Sequence, residues 1–136
     1  MATPTMEDYL ERIYELMQEK GYARVSDIAS SLDVQPPSVT RMIQRLDEAD
    51  FVQYEKYRGV VLTQKGEDLG RQIKNRHQAL EDFLRMIGVD DESIVQKDVE
   101  GIEHHVSPQT MECISGLVRF FAANPEVLSA FRASRR

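Results

Sequence analysis

Helical periodicity runs through almost the whole chain and is interrupted once, by two short β-prone runs, and this pattern restricts the fold most strongly. The runs are Phe51 to Tyr54 and Val60 to Leu62, joined as a predicted hairpin by the charged turn Glu55 to Gly59. Apolar spacings of three and four predict helices on both sides, the first capped by Thr5. These helices cover about residues 5–19, 26–32, 36–49, 63–87, 92–106 and 107–123, with a short last one from Pro125. The sequence therefore predicts a mostly α-helical protein.

The composition indicates a soluble globular protein. Of its residues, 41% are hydrophobic and 29% are charged, as in ordinary globular proteins. A length of 136 residues is enough for one compact unit or for two small units that share a core. No stretch approaches the ~20 apolar residues that span a bilayer, and the first residues lack a signal-peptide pattern. The single cysteine, Cys113, excludes an intrachain disulfide. We therefore expect a cytoplasmic protein with no membrane partner.

Three helices followed by a hairpin form the order of a winged helix-turn-helix. Only a short turn, Asp33 to Gln35, separates the second helix from the third, which would then lie in the major groove of double-stranded DNA. Gln and Arg can pair with base edges, and Ser and Thr with phosphates. The predicted DNA-contacting residues of the third helix and its start are Gln35, Pro37, Ser38, Thr40, Arg41 and Gln44.

The predicted wing tip carries a basic and aromatic cluster, Lys56, Tyr57 and Arg58, that would lie against the DNA backbone. The alternative for any one of these residues is an ordinary solvated side chain. A net charge of -6 argues against indiscriminate nucleic-acid binding, because phosphate affinity depends on clustered Lys and Arg. Positive charge must therefore be local, or a bound cation must supply it.

The segment from Asp98 to His105 concentrates acidic and imidazole groups on the fifth predicted helix. Its buried face is predicted to be an apolar stripe of Val95, Val99, Ile102 and Val106. At 100° per residue, Glu103 lies about 40° from Val99, and Glu100 and His104 share the same flank. A carboxylate at the border of a core costs free energy unless it is paired or ligated.

Two other helices offer groups that could join this cluster. His77 faces inward on the long helix, although a lone inward histidine is usually a satisfied core residue. Asp8 and Glu11 share one face of the first helix, which taken alone is a solvated face. If the three clusters meet, four carboxylates and two imidazoles without a thiolate suit Mn(II). Six side chains exceed the needs of one ion, so two ions sharing carboxylates are predicted.

Together these segments resemble the diphtheria-toxin-repressor family of metal-dependent regulators over nearly the whole chain. The resemblance is carried by residues 6–11, 21–29, 37–40, 54–59, His77 and 98–105. It implies that the long helix and the C-terminal helices form a homodimer. It also implies that a pair of Mn(II) ions is ligated by Asp8, Glu11, His77, Glu100, Glu103 and His104.

The resemblance favours the manganese-responding branch of the family. Iron-responding members have soft Met and Cys ligands where this chain has Asp8 and Glu100, and they commonly carry a further C-terminal domain, which we do not expect here. The implied domains are a winged helix-turn-helix over residues 1–75 and a helical metal-binding and dimerisation domain over 76–136. The weaker match after about Ser107 leaves the last helices less defined.

The expected function is that of a Mn(II)-activated repressor of manganese uptake genes, without enzymatic activity or a small organic substrate. Bound metal would hold the two recognition helices of the dimer about one DNA turn, ~34 Å, apart on a palindromic operator. One alternative is a metal-independent winged-helix regulator that responds to a small organic ligand, and its DNA binding would be insensitive to chelators. Another is a dinuclear metalloenzyme, against which the sequence offers no nucleophile motif or substrate-binding loop.

Overall fold

The structure, a computed structural model, describes residues 2–55 and 57–135. Its elements are α1 (Pro4–Lys20), α2 (Val25–Leu32), α3 (Pro36–Glu48), β1 (Val52–Glu55), β2 (Gly59–Leu62), α4 (Gln64–Met86), α5 (Glu92–Ile102), α6 (Pro108–Ala123) and α7 (Pro125–Ser134). The predicted fold class is confirmed: the chain is mostly helical, with one hairpin after the third helix. It folds as two compact units, residues 1–74 and 75–136, and the division falls within α4.

The first unit is built on an apolar core to which α1, α2, α3 and the hairpin all contribute. Its fully buried residues include Leu10, Ile13, Ile28, Val39 and Leu46. The spacing of three and four on each helix places these residues on one face, so the polar residues face outward. The hairpin packs into the same core through the buried residues of both strands.

The hairpin is fixed to the rest of the first unit by backbone contacts. β1 pairs with β2 in antiparallel register, and Val60 of β2 also pairs with Ala23, which precedes α2. Val60 donates to the Ala23 carbonyl at 2.7 Å and accepts from the Ala23 amide at 3.2 Å. At the start of α4, a Cβ on Gly66 would collide with the carbonyl oxygen of Phe51, so only glycine permits this close approach. The wing is therefore held in place relative to α2.

The start of α1 differs from the prediction, whereas its end agrees. Thr3, not Thr5, caps the helix, because Thr3 is extended at φ -79° and ψ 164° and its hydroxyl accepts the Met6 N–H at 3.2 Å. Thr5 already lies within the first turn, where a side-chain cap has no role. Gly21 ends the helix at φ 80°, in the left-handed region that favours glycine.

The second unit has a smaller core between the latter part of α4 and helices α5 and α6. Its buried apolar residues are Leu80, Leu84, Val95, Val99 and Met111. Arg132 of α7 donates to the carbonyl of Met86, the last residue of α4, at 3.2 Å, and Arg135, just after α7, donates to the carbonyl of Ile87, just after α4, at 2.7 Å. Among the described residues, no helix combines the length and the apolar character that crossing a membrane requires.

Helix α5 ends at Ile102, four residues before the predicted end at Val106. Pro108 disfavours a helical conformation at Ser107, which is extended at φ -67° and ψ 155° and caps α6 by accepting the Thr110 N–H. The chain must therefore leave α5 early. The predicted apolar stripe is wrong at Ile102, which is 36% exposed, whereas Val106 is partly buried and packs against the core of the second unit.

Candidate metal centre and nucleic-acid interface

Glu103 occupies a position that a carboxylate rarely tolerates. It follows the last residue of α5, keeps a helical backbone at φ -59° and ψ -28°, and donates its N–H to the Val99 carbonyl at 2.8 Å. Its side chain is 0% exposed, and no other polar or charged residue of the described chain is buried to this degree. Removing a carboxylate from water costs several kcal/mol unless opposite charge or hydrogen bonds compensate. The compensation must come from its immediate neighbours.

Two histidines flank Glu103, one at each carboxylate oxygen. Oε2 lies 2.8 Å from Nδ1 of His77, and Oε1 lies 3.3 Å from Nε2 of His104. The His77 contact is a hydrogen bond, whereas the buried Oε1 has no hydrogen-bond partner among the described residues. A buried acceptor that lacks a donor is the arrangement that a bound cation would satisfy.

Glu100 and His104 complete a group with Glu103 at the end of α5. Glu100, Glu103 and His104 each offer one ligand atom, and these atoms lie within 4.8 Å of one another. The predicted common flank of the three residues is therefore present, even though His104 comes after the helix has ended. Carboxylate oxygens and imidazole nitrogens without a thiolate are the donor set of Mn(II) and similar divalent ions. The residues present fit a divalent metal.

In the first unit, Asp8 and Glu11 lie one turn apart on α1, as predicted. Both side chains are partly buried. The sequence alone allowed these two residues to lie on a fully solvated helix face, and their partial burial does not agree with that alternative. Carboxylates in such positions are best placed when they pair with a cation or with hydrogen-bond donors.

Glu81 is a neighbour of His77 that the sequence analysis did not single out. Its Oε1 lies 2.7 Å from Nε2 of His77, and its Oε2 lies 3.0 Å from Nη2 of Arg85. Residues 77, 81 and 85 follow one another at intervals of four on α4, so their side chains share one helix face. That spacing is the signal that could have identified Glu81.

Arg85 connects this face of α4 to the start of α5. Its Nη2 lies 2.6 Å from Oε1 of Glu92, and Gln96 donates to the same oxygen at 3.0 Å. The hydrogen bond from Arg85, followed by that from Gln96, lowers the pKa of the Glu92 carboxyl. The bond to Glu92 in turn raises the pKa of the Arg85 guanidinium, so both groups are charged at neutral pH.

Helix α3 presents polar side chains on the surface opposite its core face. Val39, Met42 and Leu46 are buried. Of the predicted DNA-contacting residues, Ser38 is partly buried and the exposed ones are Gln35, Pro37, Thr40, Arg41 and Gln44. Arg41 donates to the Ser38 hydroxyl at 3.3 Å, which leaves the guanidinium at the surface. The helix can therefore offer these groups to a ligand without disturbing the core.

The wing residues differ in how they are held. Tyr57 is 84% exposed at the tip, whereas Arg58 donates to the Gly21 carbonyl at 2.8 Å and to Glu55 at 3.2 Å. Arg58 thus ties the wing to the end of α1, a role that the sequence did not reveal. Tyr54, another residue not predicted, is 74% exposed. Lys56 lies outside the described residues.

Two family models match the chain, one after the other. The model for the iron dependent repressor N-terminal DNA binding domain matches residues 1–60. The model for the iron dependent repressor metal binding and dimerisation domain matches residues 63–132. The order of the two matches follows the order of the winged-helix elements and the helical second unit.

The chain is also similar to known regulators, both in sequence and in structure. The HTH-type transcriptional regulator MntR of Shouchella clausii is 59% identical over 124 residues, which are 91% of this chain and 86% of that protein. The MntR of Bacillus subtilis is 58% identical over 121 residues, 89% of this chain and 84% of that protein. The solved structure of the manganese regulator SloR is similar with a TM-score of 0.75 at 31% identity, covering 88% of this chain. The matched part makes up 55% of the length of that solved relative.

Proposed function

Because this chain belongs to the iron dependent repressor family of transcriptional regulators, we propose that it is a Mn(II)-activated repressor that binds palindromic operator DNA as a homodimer. Its similar proteins are DNA-binding regulators and not enzymes, which removes the metalloenzyme alternative. A metal-independent regulator is not favoured, because residues 63–132 match a metal-binding domain. The similarity to the manganese regulator SloR supports Mn(II) as the signal.

The observation that carries the proposal is the buried carboxylate of Glu103. Its two oxygens face different imidazoles, Oε2 that of His77 and Oε1 that of His104. A carboxylate placed in this way can bridge two cations, one beside each histidine. The proposed ligands of a pair of Mn(II) ions are Asp8, Glu11, His77, Glu100, Glu103 and His104. Bound Mn(II) would supply the positive charge that the buried carboxylate needs.

The proposed division of labour follows the two domains, residues 1–75 for DNA binding and 76–136 for metal binding and dimerisation. Exposed apolar side chains on a soluble protein commonly mark a protein interface. In the second unit these are Ile94, Ile102, Leu117, Phe120 and Val127, which we assign to the homodimer contact. Helices α5, α6 and α7 all contribute to this set, so the interface would extend over the C-terminal helices.

On DNA, α3 would enter the major groove with the exposed groups of its first turns. Arg41 and Gln44 suit base edges, and Ser38 and Thr40 suit phosphates. Gln35 and Pro37 lie at the entrance of the helix, and Lys56, Tyr57 and Arg58 belong to the wing beside it. Ligation by residues of both domains would restrict the positions of the two α3 helices in the dimer, and this preorganisation would strengthen operator binding. A protein acting on operator DNA in this way would work in the cytoplasm and control manganese uptake genes.

A DNA-binding titration tests the proposal. The purified protein is first freed of metal with a chelator, and its affinity for a palindromic promoter fragment of a manganese transporter gene is measured with and without Mn(II). We expect Mn(II) to raise the affinity by roughly 5- to 150-fold, the usual range of allosteric coupling. Glu103→Gln should lose this response while circular dichroism shows an intact helical fold. Glu112→Gln, an exposed glutamate on α6, is the matched control and should respond like the wild type.

The outcome that contradicts the proposal is equal DNA binding with chelator and with Mn(II) in the wild type, which would favour the metal-independent regulator. Counting bound Mn(II) by isothermal titration then tests the number of ions. We expect two per protomer in the wild type. A single ion would contradict the bridging role of Glu103 while leaving metal activation in place.

A further inference from the structure

His77 lies between two carboxylates, and only one of them belongs to the proposed metal site. Nδ1 is 2.8 Å from Glu103, and Nε2, at the other edge of the ring, is 2.7 Å from Glu81. The side chains of His77 and Glu81 are 18% and 14% exposed, so water competes little for this contact. The imidazole is therefore held at both nitrogens.

We propose that Glu81 is a positioning residue for metal binding: it accepts the Nε2–H of His77 and so leaves the Nδ1 lone pair directed to the metal. This inference rests on the proposed function. A neutral imidazole carries one ring proton, and the partner of one nitrogen decides which nitrogen is free to ligate. The hydrogen bond of Nδ1 to the Glu103 carboxylate needs a proton on Nδ1, and a metal shared with Glu103 would take the place of that proton. The remaining proton then belongs on Nε2, where Glu81 accepts it.

The surroundings of Glu81 suit an orienting group better than a ligand. Its Oε1 contacts the nitrogen of His77 that points away from Glu103, and its Oε2 is paired with Arg85 at 3.0 Å. A guanidinium that shares the carboxylate lowers its value as a metal ligand but leaves it a good hydrogen-bond acceptor. Arg85 is itself anchored to Glu92 at 2.6 Å, so the chain of contacts fixes the orientation of Glu81 from the start of α5.

Mn(II) titrations of the full chain provide the first test. In Glu81→Ala we expect the Kd for Mn(II) to rise about 10- to 100-fold, the usual effect of removing a partner of a ligating histidine, with the number of bound ions unchanged. Glu81→Gln should recover most of the affinity, because its amide oxygen can accept the same N–H. Asp82→Asn removes the neighbouring carboxylate on α4 and is the matched control, with a Kd equal to that of the wild type. An unchanged Kd in Glu81→Ala overturns the proposal, and so does a loss of one bound ion, which would make Glu81 a ligand.

A spectroscopic test follows the tautomer directly. With ¹⁵N-labelled histidine and Zn(II) as a diamagnetic probe in place of Mn(II), NMR should show His77 protonated at Nε2 alone in the wild type. In Glu81→Ala we expect faster exchange of that proton or a second tautomer. Protonation at Nδ1 with metal bound at Nε2 would overturn the proposal.

His77→Ala separates this inference from the proposed function. If the variant binds Mn(II) as tightly as the wild type, the ligand assignment of the proposed function is wrong, and the role of Glu81 fails with it. If His77→Ala loses binding while the Glu81 variants match the wild type in Kd and tautomer, only the positioning role is wrong. Circular dichroism of each variant confirms that the helices are retained.

Discussion

The two units of the chain differ in how exposed their candidate functional groups are. In the first unit the core is apolar, and the groups assigned to DNA, such as Arg41 and Gln44, are exposed on α3. In the second unit the core is smaller, and the central group of the candidate site, Glu103, is fully buried. In the first unit the residues assigned to DNA are thus separate from the packed core, whereas the candidate metal site of the second unit includes a fully buried residue.

This difference determines how each unit should respond to metal. A carboxylate buried beside two imidazoles costs free energy that a bound cation would offset, so we expect metal binding at this site to add to the folding free energy. The first unit already has a filled apolar core and needs no ion for its own packing. Substitutions in the two units should therefore differ in size and in their dependence on Mn(II).

The largest expected effect is a cavity in the core of the first unit. Ile28 is fully buried on α2, and Ile28→Ala should lower the free energy of unfolding by about 2–5 kcal/mol, because it removes buried methylene groups from a packed site. Urea denaturation measures this loss, which should be the same with chelator and with Mn(II). Ser30→Ala, at an exposed position of the same helix, should change little. A loss that disappears when Mn(II) is added would contradict the separation of the two units.

Metal removal should have the next largest effect, and this effect should depend on Glu103. A ligand present at 100 times its Kd stabilises the folded state by about 2.7 kcal/mol. Urea denaturation of the wild type should show this gain when Mn(II) replaces the chelator, and Glu103→Gln should show none. Glu112→Gln is again the control with an unchanged gain. Equal midpoints for the wild type in both conditions would show that the buried carboxylate is satisfied without an ion.

Substitutions on the exposed face of α3 should affect DNA affinity alone. Arg41→Ala and Gln44→Ala should each weaken operator binding by about 1–3 kcal/mol, the value of a good bidentate base contact. Fluorescence anisotropy with labelled operator measures the change, with Gln72→Ala on α4 as the control. The Kd for Mn(II) and the free energy of unfolding should stay at wild-type values, since both residues are exposed. A matching loss of stability would place these residues in the packing of the unit instead.

Local signals were sufficient to predict most of the fold. Helices begin at Pro36, Pro108 and Pro125, because proline fixes φ at a helical value and lacks the N–H that a first turn leaves unused. The end of α1 at Gly21 was predicted for a similar reason, since its φ of 80° suits glycine. The position of Glu103 beside the core also followed from helical spacing, although the structure buries it completely.

Features that depend on competition or on distant residues were not predictable. The end of α5 was wrong because periodicity favours a helix through Val106, whereas the cap at Ser107 requires extended backbone. The contact of Arg58 with the Gly21 carbonyl joins residues 37 positions apart, so no local pattern contains it. The contact of Glu81 with His77 is local, but a glutamate four residues from a histidine is common on solvated helices and becomes informative only when its surroundings are known.

The smallest effect should come from the exposed cap of α5, and it tests whether metal dependence is confined to the interior of the second unit. The hydroxyl of Ser93 donates to the Asp91 carboxylate at 2.7 Å, and the N–H of Ser93 donates to it at 2.9 Å. Both bonds lower the pKa of the Asp91 carboxyl, and the bond from the hydroxyl contributes most. A depressed pKa adds stability above the ordinary value of about 3.9 that is lost as the pH falls through the folded value. Asp91→Asn keeps a capping acceptor without the charge, so its thermal midpoint should lie below that of the wild type at pH 7 and approach it as the pH falls below that ordinary value. At pH 7 the difference should be equal with chelator and with Mn(II), because the bonds of Asp91 to Ser93 do not contact the candidate metal site. A difference that grows with Mn(II) would show that the metal coupling reaches this cap.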